Sequence, residues 1–331
     1  MGRRLARKAT QVIPFDRRMR FRDVHLLQGR DRIPQSPVLQ FYSSVDNIGN
    51  YLPVAAIRDY LGCATDTWSI HHPVDYDYVN ANYRGVIVGG AGLIYQPFAQ
   101  FWSEFAEKCR LPFIIWGVGA CIPDAMGLDD AIPFRKALRV VAKQADLINV
   151  RDDISADLFS GEAVSVTACP SVSYLKDFTG SRPSGPFTLA THSELVSNTE
   201  HEALRQALRQ DRKVILTNNI QSRLMGVDDI IRRRYSLSST VVTTRLHGAI
   251  IAYGLGIPYV AMSRDEKLRA FTRIYGGGVE IASASEIYEA VTSAQASATR
   301  GLALEAVDSF AAKAASWMAV MGPARGDGAR S

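Results

Sequence analysis

The chain has 331 residues, 47% of them hydrophobic, with 38 Lys and Arg against 33 Asp and Glu, a net charge of +5. That is chain enough for two domains, each with its own core, and no apolar run approaches the ~20 residues of a membrane span. Ten of the basic residues fall within residues 1–32 against Asp16, Asp23 and Asp31, so this leader carries +7 and the remaining 299 residues sum to −2. A nearly neutral body argues against a nucleic-acid-binding protein, whose basic excess lies on the folded domain.

The basic leader, residues 1–34, lacks the apolar stretch of a signal peptide, which predicts a cytoplasmic protein. It is either a solvated, partly disordered arm or one drawn to an anionic membrane surface, which would place the protein at the inner face of a membrane. Cys63, Cys109, Cys121 and Cys169 are far apart, without a C-x-x-C pair. They fit reduced, buried thiols rather than a disulfide framework or a zinc knuckle.

In chain order, residues 38–43 (VLQFYS) read as a first strand. A loop holding Asp46, Asn47, Gly49 and Asn50 follows, then a helix over 51–62 with Pro53 in its first turn. Residues 86–88 make a short buried strand, and Gly89, Gly90 and Gly92 let the backbone turn and approach a ligand. This G-G-x-G is not the dinucleotide fingerprint. A helix over 97–109, the strand 112–116 (PFIIW), the glycine loop 117–119, a helix over 133–144 and the strand 147–150 (LINV) come next. Arg151 follows that strand directly, where a cation faces a binding crevice or pairs with Asp152, Asp153 or Asp157; either aspartate 152 or 153 can cap the next helix. A short strand over 164–168 closes the first half, and the linker-like FTGSRPSGP of 178–186 marks a boundary.

The second half repeats the alternation: strand 187–191, helix 200–210, strand 213–218, a basic helix around 230–235 and a strand at 240–242. The stretch TTRLHGAIIAYGLGIP, residues 243–258, then sets Arg245 and His247 at a strand-to-helix junction. Free N–H groups and the helix dipole favour an anion there. Arg245 adds a guanidinium fork, His247 titrates near neutrality, and Gly248 leaves the helix start open to a ligand. The bland alternative is a tight turn with Arg245 ion-paired and His247 a satisfied core residue. Small-residue helices follow from Ser285 and pack back across the domains. The expected organisation is α/β, two parallel Rossmann-like sheets facing a central cleft: residues 35–180, residues 186–285, then helices and a tail over 286–331.

These residues carry a resemblance. N-x-G at 47–49, G-G-x-G-L-I, F-I-I-W-G-V-G, V-R-D-x-x-S at 150–155, C-P-S and T-x-R-L-H-G-x-I-x-A at 243–252 occur in an order that resembles the polysaccharide pyruvyl transferase family, over roughly residues 38–275. The resemblance implies a glycosyltransferase-B-like fold and transfer of a pyruvyl group from phosphoenolpyruvate to two hydroxyls of a saccharide, forming a ketal. The acceptor would be a polysaccharide or its lipid-linked precursor. Phosphoenolpyruvate would be the donor substrate, held by Arg151, Arg245, Leu246, His247 and Gly248, with no cofactor and no metal. His247 would act as general acid. Asn47, Gly49, Asn50, Gly89, Gly90 and Gly92 would form the acceptor-side loops. The family's first loop often reads N-x-G-D; here Asn50 stands at the acidic position, which moves a base role to Asp46. The alternatives are a glycosyltransferase of the same architecture using a nucleotide sugar, and a non-catalytic anion or glycan binder.

Overall fold

The computed structural model describes residues 16–159, 163–178, 183–192, 195–209, 213–297 and 303–322. The first sheet holds β1 (Val38–Tyr42), β2 (Asp66–Ser69), β3 (Gly85–Gly89), β4 (Phe113–Val118), β5 (Leu147–Val150) and β6 (Val164–Val166), in the order β2-β1-β3-β4-β5-β6. The second holds β7 (Phe187–Ala190), β8 (Val214–Thr217), β9 (Thr240–Thr243), β10 (Tyr259–Ala261) and β11 (Gly278–Glu280), in the order β11-β10-β9-β7-β8. Every pairing is parallel. Central strands covered by helices on both faces must be apolar throughout, and β3 and β4 are buried along their whole length. The strand order reverses between β1 and β3 in one sheet and between β7 and β9 in the other. In such folds ligands bind outside the strand carboxyl ends at these reversals.

The first helix, Ile48–Leu61, begins three residues earlier than the pattern predicts. Asn47 caps it by accepting from Gly49 N, and Gly62 ends it in the left-handed region at φ 63°. Pro53 therefore lies in the second turn, packed against Gly90, whose φ of +84° and missing Cβ leave the room. Residues 63–83 and 263–284 carry no predicted element, yet β2, the helix Tyr76–Asn82, the helix Glu266–Tyr275 and β11 lie there. The DTWS of β2 shows no apolar alternation because buried Asp66 serves an edge contact, an ion pair to Arg22 at 2.6 Å.

That contact belongs to the leader, and it corrects the expectation of a solvated arm for residues 16–32. Arg17 pairs with Asp229 at 2.9 Å, Met19 N donates to Gln221 Oε1 at 2.7 Å, and Phe21 packs its ring 5.5 Å from those of Tyr42 and Tyr51. The segment is a strap from the second half to the first, fixed by apolar contact and by pairing of its own arginines. Residues 1–15 of the leader, 179–182 of the linker and 323–331 of the tail lie outside the described residues. At the other end, the helix Leu304–Met321 returns to the first sheet, where Phe310, Ala311, Ala314 and Met321 pack with Val38, Ile57, Ile87, Ile114 and Trp116. A further apolar cluster joins the first helix, the helix Ser171–Leu175 and the helix Leu246–Gly254, so the two halves share a core. Among the described residues no helix is long and apolar enough to cross a membrane.

Candidate functional site

Because both sheets are parallel and face each other, their carboxyl ends open onto one cavity, of about 120 Å3. Asn47 and Asn50 reach it from the end of β1, Gly92 from β3, Cys121 from β4 and Arg151 from β5. From the second sheet come His192 after β7, Thr244 to His247 after β9, and Asp265 and Lys267 after β10. Arg151 and Arg245 thus approach from opposite halves.

Arg151 is 2% exposed and lies flat over Gly119, where a Cβ would collide with its guanidinium. Its Nη2 donates to Ala120 O at 3.4 Å and its Nε sits 3.5 Å from Asp152 Oδ2, so the expected ion pair forms while the group still lines the cavity. Asp152 also caps the helix Asp153–Leu158 through Ser155 N, and Tyr275 donates its hydroxyl to Arg151 O at 3.1 Å. Arg245, 7% exposed, donates Nε to Thr191 O at 2.6 Å. It occupies the N-cap of the helix Leu246–Gly254 without a side-chain cap, so the first N–H groups of that helix are open to an anion.

His247 sits in that first turn. Its Nδ1 edge rests on Gly49, at the start of the first helix, where a Cβ would collide with the ring. Its Nε2 is buried with no hydrogen-bond partner among the described residues. Burial, with Arg151, Lys267 and Arg245 nearby, pushes its pKa well below the ordinary imidazole value, so the ring is neutral. Burial, with Arg245 and Lys267, likewise lowers His192 to about 4. For Lys267 burial opposes the charge, but Cys121 and Asp265 outweigh it and the pKa rises; Nζ lies 2.5 Å from Asp265 Oδ2 and 3.5 Å from Cys121 Sγ. Three cations against Asp152 and Asp265 leave the cavity electropositive.

The structure separates the remaining sequence candidates. Asn47, Asn50, Gly92, Arg151, Arg245, Leu246 and His247 come together at the cavity, and Gly49 supports His247. Gly248 is not in the lining of the cavity: a Cβ there would meet Thr243 Oγ1 and Ala190, and its absence lets the helix sit on the second sheet. Gly89 and Gly90 pack against Ile57 and Pro53 of the first helix instead of lining the cavity. Asp46 also stands off it, with its carboxylate 3.5 Å from Arg18 of the strap. Sequence reasoning passed over His192, Cys121, Asp265 and Lys267. All four follow a strand end, so the crevice rule applied to β4, β7 and β10 would have found them.

The fold likeness extends to sugar-nucleotide enzymes. A protein described as a UDP-N-acetylglucosamine 2-epimerase from Listeria monocytogenes superposes with a TM-score of 0.53 at 11% identity, over 83% of this chain and 93% of that one. The UDP-GlcNAc 2-epimerase from Neisseria meningitidis bound to UDP-GlcNAc gives 0.50 at 12% identity, over 86% and 100%. MnaA from S. aureus with UDP gives 0.50 at 11%, over 82% and 93%. At these identities the likeness concerns the fold: two Rossmann-like sheets about a cleft, the glycosyltransferase-B-like arrangement. No curated protein matches the sequence. The family pattern of polysaccharide pyruvyl transferase, however, matches residues 38–266, well over half of the chain and every strand that brings a residue to the cavity. The chain therefore belongs to the polysaccharide pyruvyl transferase family.

Proposed function

We propose that the cavity holds phosphoenolpyruvate and that the protein transfers its pyruvyl group to two hydroxyls of a saccharide as a cyclic ketal. The observation that carries this reading is the meeting of Arg151 and Arg245 from opposite sheets beside an uncapped helix start. Phosphoenolpyruvate bears a carboxylate and a phosphate on a three-carbon frame, and two guanidinium forks with Lys267 match two anionic groups that close together. Ketal formation needs a proton at the methylene carbon, which leaves a cation at the carbon bearing carboxylate and phosphate. One hydroxyl adds there, phosphate leaves with its bonding pair, and the second hydroxyl closes the ring. His247 is the acid in this scheme. Burial first, and then Arg151, Lys267 and Arg245, keep it neutral; the donor's negative charge offsets the cations and so favours a proton on Nε2, which can pass to the methylene carbon or the departing phosphate.

The test is a thermal-shift titration with phosphoenolpyruvate beside pyruvate, phosphate and UDP-N-acetylglucosamine. A ligand at a hundred times its Kd stabilises the folded state by about 2.7 kcal/mol. We expect phosphoenolpyruvate to raise the melting temperature of the wild type and to lose that effect in Arg245→Ala. A rise with the nucleotide sugar alone would replace this reading with a glycosyltransferase.

A further inference from the structure

A second cavity, of about 310 Å3, opens beside the first at the carboxyl ends of β2 and β3, lined in part by His71, His72, Pro97, Phe98, Gln100 and Glu104. One hydrogen-bonded run of side chains links the two linings. Asn50, which lines the first cavity, donates Nδ2 to Ser43 Oγ at 3.2 Å, and Ser43 Oγ lies 2.8 Å from His71 Nε2. The contents of the two linings differ in kind. The first holds Arg151, Arg245 and Lys267; the second contains no Lys or Arg. Instead it offers the ring of Phe98, held edge-on to His71 with centroids 5.1 Å apart, the ring of His72, and Glu104, whose Oε1 accepts from Gln100 Nε2 at 3.1 Å and lies 3.6 Å from Lys108, leaving Oε2 for a hydroxyl. Burial and the neighbouring His72 lower the pKa of His71, so its imidazole is neutral and can take a hydrogen bond from a hydroxyl. A pyranose has apolar C–H faces and a rim of hydroxyls and no charge. It fits a lining of aromatic faces with a few fixed polar groups, and it would gain nothing from the cationic cavity.

We infer that the second cavity is the acceptor subsite, taking one pyranose ring of the saccharide, with His71, backed by its bond to Ser43, holding the edge of that ring toward the donor. As an acceptor subsite it rests on the donor reading above; as a saccharide site it stands on its own lining. The arrangement also gives the Asn50 substitution a place: the amide orients Ser43 rather than acting as a base.

Saturation-transfer NMR with methyl β-D-galactopyranoside, methyl β-D-glucopyranoside and methyl α-D-mannopyranoside tests this on the wild type, Phe98→Ala, Glu104→Ala and Arg245→Ala. At least one pyranoside should receive saturation from the wild type. Its affinity should fall about threefold to tenfold in Phe98→Ala, the loss of one aromatic contact, and should also fall in Glu104→Ala, a surface change that leaves the core intact. Arg245→Ala should keep the pyranoside signal while losing the phosphoenolpyruvate thermal shift. No saturation of any pyranoside on the wild type, or equal saturation in both Phe98→Ala and Glu104→Ala, overturns the inference. Failure of phosphoenolpyruvate to shift the wild type while the pyranoside pattern holds would strike the donor reading alone and leave a saccharide site.

Discussion

In the proposed chemistry His247 is the acid, and its environment makes its behaviour measurable. Burial, with Arg151, Lys267 and Arg245 nearby, holds it neutral. The donor's negative charge reverses the electrostatic part of that shift while burial remains, so its pKa rises on binding and proton uptake near neutral pH is the expected result. Calorimetry of phosphoenolpyruvate binding in buffers of different ionisation enthalpy should give up to about one proton more for the wild type than for His247→Gln; equal uptake would remove His247 from the proton path. The same variant should bind the donor within a few-fold of wild type and lose about a hundredfold to ten-thousandfold in kcat, the range for a positioned acid. The depressed imidazoles of His247 and His192, like that of His71, also set a pH dependence of stability. Below about 6.5 an unfolded chain protonates these histidines while the folded one does not, so the unfolded state binds more protons and stability falls as pH drops from 6.5 toward the value of about 4 for His192. Urea midpoints between pH 7 and 4.5 should show this fall, and His192→Gln should flatten it. Removing an arginine acts on the ligand directly: Arg245→Ala loses a charge-assisted pair of about 2–5 kcal/mol, at least a thirtyfold weakening in a direct titration.

At the level of elements, glycines decide how closely the helices approach each other and the sheets. Gly248 and Gly49 look alike in sequence, each in the first turn of a helix after a strand, but a Cβ on Gly248 meets Thr243 and Ala190, and a Cβ on Gly49 meets the His247 ring. Gly248→Ala should therefore destabilise the fold by about 1–3 kcal/mol in urea unfolding and leave phosphoenolpyruvate affinity nearly unchanged. Gly49→Ala should displace His247 and lower kcat well beyond its effect on unfolding; an unchanged kcat would show that the ring has other room. This contrast also shows what was legible. The alternating strands, the parallel sheets and the Arg151, Arg245 and His247 set could be read because buried parallel strands are apolar runs and functional loops follow their carboxyl ends. The Gly248 role could not, because which glycine faces a ligand depends on where another strand's side chain comes to rest. Asp46 was misplaced for a similar reason: its neighbour Arg18 lies in a strap whose docking rests on contacts remote in sequence, at Gln221 and Asp229. β2 and β11 escaped notice because edge strands of three or four residues lack a full period of hydrophobicity.

For the whole molecule, the site exists only if the two halves keep their relative position, and several independent devices hold them. The loop after β1 is bonded to the loop after β8 through Ile48 N to Asn219 O at 2.8 Å and Gln221 N to Asp46 O at 2.7 Å. Arg269 reaches Asp124 at 3.1 Å, and Arg273 reaches Asp153 at 2.7 Å. The exposed ion pairs contribute little singly, about 0–1 kcal/mol, and weaken with salt. The apolar contacts therefore carry most of the load: the cluster shared by the first helix and the helix Leu246–Gly254, and the return of the helix Leu304–Met321 to the first sheet. Phe310 packs its ring 5.4 Å from that of Trp116 on β4, and Trp317 and Met321 close over Gly85 at the head of β3. The end of the chain is thus part of the core of its beginning. Phe310→Ala should cost about 3–5 kcal/mol in chemical unfolding, and limited proteolysis of the variant should open sites within residues 38–118 as well as in the helix itself. Cleavage confined to the helix, with the first sheet still protected, would mean that the helix only covers a core that stands without it.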